Sequence, residues 1–278
     1  AEVTIRTVMG MFLLKPTPQN RDLILGVLGR AQALYDFELY NYAFLSNHGS
    51  YLLGIRSAEQ LGRIKGHIHS NIAAELGRRP DSKWDGKVHG RPGRSIVVLT
   101  DEDVLDRMRY ICANGTKEDL VPEPRKWPGA HAAQALSSGI DDRGTWINRT
   151  ETSKIARKHK NKRREPAVVQ TTYTVKLSKV PPLAHLSDYE YAEYMKSMCN
   201  DISADAAKER GRNGKTVLGL KAILRLSPMH IPKVQTRTPA PRVHCHDPVM
   251  RRAYIADYRA FEEAYRLANL ALREGLEG

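Results

Sequence analysis

The chain has 278 residues, enough to bury a sizeable core and to form one large or two small globular domains. Its formal charge of +13 and pI near 9.7 favour a polyanionic partner, nucleic acid ahead of an anionic membrane. No apolar run approaches the roughly 20 residues of a membrane span, and Cys112, Cys199 and Cys245 lack the number and spacing of a disulfide framework or a zinc finger.

The first residues are acidic and β-branched where a signal peptide would be basic and then apolar, so a cytoplasmic location is expected. Residues 3–14 mix Val, Thr, Ile, Met and Phe and stop at Lys15-Pro16, which predicts a first strand. Thr17-Pro18 opens a helix whose inward stripe is Leu23, Ile24, Val27, Leu28 and Ala31. Residues 38–45 and 51–55 read as a hairpin around the polar turn 46–50. Residues 58–76 return to helical spacing, and 95–99 form a further apolar strand. Between them, the polar loop 81–94 carries Lys83, Lys87, His89, Arg91, Arg94 and Trp84. It suits either phosphate contacts with a base stacked on the indole or a solvated loop with a tucked-in tryptophan.

Thr100 is an N-cap residue followed by Asp101-Glu102-Asp103, acids that the positive end of a helix dipole favours. Val104, Leu105, Met108, Ile111 and Cys112 then recur as an apolar face, with Arg107, Arg109 and Lys117 beside it. Tyr110 and Asn114, four residues apart, are expected on one flank before Gly115 ends the helix. Taken alone, Tyr110 reads as an amphipathic core tyrosine with a wet hydroxyl. The resulting element order suits an α+β fold of ferredoxin-like type, an antiparallel sheet with helices on one face.

Beyond about residue 139 the composition shifts, so residues 1–138 are expected to form one domain and 139–278 a basic, mainly helical accessory domain. Residues 154–164 are the densest basic run; Lys158, Lys160, Lys162, Arg163 and Arg164 suit phosphate binding. An extended segment over 168–180 is followed by a helix from the capping-box start Ser187-Asp188-Tyr189-Glu190 to Arg210, a short helix at 217–226 and a long one at 248–274.

The string Arg109-Tyr110-Ile111, Asn114, Leu120-Val121, Pro124 and Trp127-Pro128 resembles the C-terminal signature of the REP-associated tyrosine transposases, bacterial members of the single-tyrosine HUH superfamily. Asn47-His48-Gly49-Ser50 sits where that family carries Asn-His-x-His, with Ser50 in the place of the second histidine. The resemblance covers about the first half of the chain. It implies that Tyr110 attacks a DNA phosphodiester to give a 5′-phosphotyrosine, and that His48, Asn114 and the degenerate position Ser50 hold Mg²⁺ or Mn²⁺. It also implies single-stranded or hairpin DNA as substrate, contacted by Arg91, Arg94, Arg107, Arg109, Lys117 and the basic run, with a homodimer allowed.

A hydroxyl is a weaker ligand than imidazole, so the alternative is a DNA-binding protein on the same fold without nuclease activity. An RNA-binding regulator is a third reading, lacking an aromatic ribonucleoprotein-type signature. His67-Ile68-His69 reproduces the His-x-His string, but on a helix such residues diverge by roughly 200° and do not share an ion. His244-Cys245-His246 has ligand types without further ligands nearby.

Overall fold

The computed structural model describes residues 1–78, 84, 86–158, 168–232 and 241–275. Strand β1 (Glu2–Arg6) is shorter than its apolar composition suggests, because the chain leaves the sheet for a 3₁₀ turn at Val8–Gly10, where Met9 and Gly10 adopt positive φ. Thr17 caps α1 (Pro18–Tyr35) by accepting a hydrogen bond from the Asn20 amide. Strands β2 (Glu38–Phe44) and β3 (His48–Gly54) form the expected hairpin, with β3 beginning three residues before the predicted start. His48 and Ser50 therefore lie on a strand, not in a turn. Helix α2 (Ala58–Gly77), β4 (Arg94–Val98) and α3 (Asp101–Cys112) follow, α3 capped by Thr100.

Short helix α4 (Ala133–Ser138), β5 (Asp142–Ile147), α5 (Arg149–Lys158), β6 (Gln170–Val175), α6 (Asp188–Asn213), α7 (Leu220–Arg225), β7 (Val243–His244) and α8 (Pro248–Arg273) complete the described chain. Ser187 and Glu190 form the full capping box at the start of α6.

The fold is α+β, built on a mixed five-stranded sheet in the order β2-β3-β1-β4-β7. Two expectations are corrected here. β7 pairs parallel to β4, so the sheet is not wholly antiparallel. Helices also cover both faces, as the alternation along β3 requires: Tyr51 reaches His69 of α2, whereas Asn41, registered with Leu52 on the other face, donates to the Met108 carbonyl of α3. One layer alone would leave half of a sheet this apolar in water. Tyr42, Phe44, Leu52, Leu53 and Val3 are all almost fully buried.

Segments after residue 139 pack back onto this frame. The β5–β6 hairpin lies against α1, α6 against α3 and α4, and β7 on the sheet edge. The α1–β5 approach is close enough that a Cβ on Gly26 would fall on the Thr145 carbonyl, so glycine is the residue that fits there. Helix α8 is exposed along its length, and its Tyr254–Tyr258 and Phe261–Tyr265 pairs stack on its own surface. Among the described residues no helix is long and apolar enough to cross a membrane.

Candidate functional site

Antiparallel pairing brings His48 opposite Arg6, and Ser50 between Ala43 and Thr4. Thr4 in turn faces Arg94 on β4. Side chains directly opposite each other share a face, and so do residues two apart, so His48, Ser50, Thr4, Arg6 and Arg94 all lie on the α3 side of the sheet. The His48 Nδ1 lies 2.8 Å from the Asn47 Oδ1. Burial, then the charges of Arg6 and Lys117, push the His48 pKa down to about 4, so its imidazole is neutral at pH 7. Ser50 is buried.

Helix α3 runs along this face. Midway along it the Arg107 Nε sits 3.0 Å from the buried Glu2 Oε2, an oxygen that also lies 3.0 Å from the His244 Nε2. Beyond its C-terminal end Lys117 comes close enough to act on the charge of His48. Tyr110 lies between these anchor points and is 47% exposed on a helix whose Met108, Ile111 and Cys112 are fully buried. The Lys117 Nζ stands 3.2 Å from the centroid of the Tyr110 ring and the Arg107 Cζ 3.9 Å from it, so two cations flank the phenol.

Tyr110 and Asn114, expected on one flank, differ in exposure. The α-helix ends at Cys112, the Asn114 amide donates to Ile111 in a tighter turn, and Gly115 takes φ +89°. Asn114 is turned inward, only 1% exposed, and among the described residues neither its buried Nδ2 nor the buried Thr116 hydroxyl has a hydrogen-bond partner.

The remaining signature residues are structural supports. Leu45, Val121, Trp127 and Ile223 form a small apolar cluster, with Leu120 packed against it. The Trp127 Nε1 donates to the Phe44 carbonyl at 2.9 Å, which ties the loop after α3 to the end of β2. Within that loop the Leu120 and Val121 amides donate to the Gly115 carbonyl, and the Glu118 carboxylate accepts from the Gly115 amide. Lys117 is held 3.8 Å from Glu118, on the loop this lattice fixes.

The residues expected to contact DNA separate into groups. Arg94 and Arg91 are exposed. Arg107 is committed to Glu2, and Arg109 pairs with Asp205 of α6 at 2.6 Å. Lys158 ends α5, a helix anchored through Arg149 to Glu75 of α2 on the other side of the sheet. Lys160, Lys162, Arg163 and Arg164 lie outside the described residues.

His67 and His69 diverge as helical geometry requires. His67 stacks on Trp146, while the His69 Nε2 meets the Tyr51 hydroxyl at 2.9 Å. His244 and His246 are likewise taken up by carboxylates, His246 by Asp103 and Asp106. Cys112, Cys199 and Cys245 are free and buried. The contributions of Arg6, Glu2 and His244 are not visible in the sequence, since only strand register brings them beside α3.

Set against the needs of Mg²⁺ or Mn²⁺, the donor set fits poorly. It offers one imidazole, one neutral hydroxyl and one buried carboxamide, with Arg6 and Lys117 acting on the imidazole where a cation would bind. Among the described residues no group of three or more His, Cys, Asp and Glu side chains could hold a metal ion. Comparison of the chain with protein-family models, with curated proteins and with solved structures finds no match.

Proposed function

We propose that the chain binds single-stranded or hairpin DNA on the Tyr110 face and acts there as a single-tyrosine strand transferase of the kind its signature resembles. The observation that carries this reading is the presentation of Tyr110: a half-exposed phenol with cations 3.2 and 3.9 Å from its ring centroid, on a helix whose Met108, Ile111 and Cys112 are buried. An exposed phenol can reach phosphorus, and the flanking cations favour a phosphate beside it.

In the transfer step the Tyr110 oxygen would form a bond to phosphorus as the bond from phosphorus to the 3′ oxygen breaks. The phenol proton is lost, the departing 3′ oxygen is protonated, and a 5′-phosphotyrosine remains. Because one phosphodiester replaces another, rejoining needs no nucleotide cofactor. Lys117 would hold the phosphate and Arg94 the adjoining strand.

A second reading, DNA binding without cleavage, is favoured by Ser50 in the second histidine position. A nicking assay on hairpin-flanked single-stranded DNA tests the two readings. Nicking by the protein as it stands, abolished by Tyr110→Phe, supports the transferase. Tight binding without nicking, also in Ser50→His with Mn²⁺, supports the second reading.

A further inference from the structure

The metal ligand set is incomplete and its surroundings are cationic, and these two facts have one explanation. We infer that Lys117, assisted by Arg6, supplies the positive charge that the transposase resemblance assigns to a divalent ion, so that phosphate is bound beside Tyr110 without a metal. The inference rests on the reading of Tyr110 as a DNA-facing residue.

Geometry carries it. Arg6 is the cross-strand partner of His48, which puts its Cβ about 5 Å from that of the one imidazole in the set. The Lys117 Nζ stands over the phenol ring, 3.2 Å from its centroid, which keeps an ammonium charge beside any phosphate that approaches the hydroxyl. Lys117 is not buried away from ligands: its side chain is 32% exposed, and its Glu118 contact at 3.8 Å is long. Glu118 itself is held by the Gly115 amide at 2.5 Å, which fixes the loop that carries Lys117. A divalent ion placed among His48, Ser50 and Asn114 would face repulsion from both cations; a phosphate would be attracted by them.

An ammonium can neutralise charge on a phosphate oxygen as a point charge, though it cannot present several open coordination positions. The site is thereby suited to holding a phosphodiester with or without Mn²⁺.

Fluorescence anisotropy with a labelled single-stranded oligonucleotide, in EDTA and in saturating Mn²⁺, tests the inference on the full chain. The expected result is an affinity equal within about twofold in the two conditions. Lys117→Gln should weaken it about tenfold and lower the log–log salt slope by about 0.7, with Lys117→Arg restoring both. In the Lys117→Gln, Ser50→His double variant, where the cation is gone and the imidazole restored, Mn²⁺ should now raise affinity. Thermal melting of each variant verifies folding. Binding that appears only with Mn²⁺, or that Lys117→Gln leaves unchanged while the protein stays folded, overturns the inference and leaves DNA binding standing. Absence of saturable binding in either condition overturns both together.

Discussion

Acid should loosen this protein before its carboxylates titrate, and His131 allows the effect to be measured. His131 is 5% exposed, and its Nδ1 accepts a hydrogen bond from the Ala133 amide at 3.1 Å. Burial pushes its pKa down from 6.5 to about 4, against an opposing pull from the Asn114 and Cys112 carbonyls at the end of α3. A histidine whose folded pKa is depressed contributes its full stability above its unfolded pKa and loses it as pH falls toward the folded one.

Between pH 6.5 and 5 the unfolded chain takes up the proton and the folded one does not, a loss of about 2 kcal/mol at 1.36 kcal/mol per unit. His48, held down to about 4, and His69, at about 3, add losses of the same sign. Glu118, whose carboxyl burial pushes upward, opposes them. Set against a total stability of roughly 5–15 kcal/mol, these terms should bring acid unfolding well above the usual carboxylate range. Urea denaturation at pH 6.5 and pH 5 should show the wild-type loss, and His131→Gln should reduce it by about 2 kcal/mol, at a cost near 1 kcal/mol at neutral pH for the altered hydrogen bond. An identical pH-dependent loss in wild type and variant would refute the assignment of a neutral buried imidazole.

Three further outcomes follow from the same contacts. Gly26→Ala should destabilise the fold by at least about 2 kcal/mol, because the new methyl meets the Thr145 backbone; chemical denaturation tests it, and a neutral result would mean that the α1–β5 contact yields freely. Neutralising Lys158, Lys160, Lys162, Arg163 and Arg164 together should lower the salt slope of DNA binding by about 0.7 to 0.9 for each phosphate the run neutralises; an unchanged slope removes the run from the interface. Tyr110→Phe should leave melting temperature and DNA affinity nearly unchanged, since the ring and its cation contacts remain, whereas a structural hydroxyl would cost on the order of 1 kcal/mol.

Much of the local structure is legible in the sequence because it is enforced locally. Thr17, Thr100 and Ser187 announce their helices through caps that the structure contains, and the apolar stripe of α3 faces the sheet as its spacing predicts. Features decided by tertiary contact are not. Gly49 and Ser50 have poor strand propensity, and it is pairing with Ile5 and Thr4 that draws them into β3. Two-residue β7, in a proline-rich neighbourhood, exists because Val243 and His244 dock on β4 beside Glu2.

Extending the helical period of α3 places Asn114 one turn after Tyr110, but the α-helix stops at Cys112 and the carboxamide is buried where the phenol is exposed, a difference the spacing alone does not announce. Strand register, which no local pattern encodes, sets the charge around His48.

Peptide mapping of a trapped protein–DNA adduct bears most directly on the role given to Tyr110. Incubation with hairpin-flanked single-stranded DNA, proteolysis and mass spectrometry should place a phosphotyrosine-linked nucleotide on the peptide containing Tyr110 and on none from Tyr110→Phe. An adduct on another tyrosine, such as the buried Tyr42 or Tyr51 or the β6 residue Tyr173, or nicking that survives Tyr110→Phe, would contradict it.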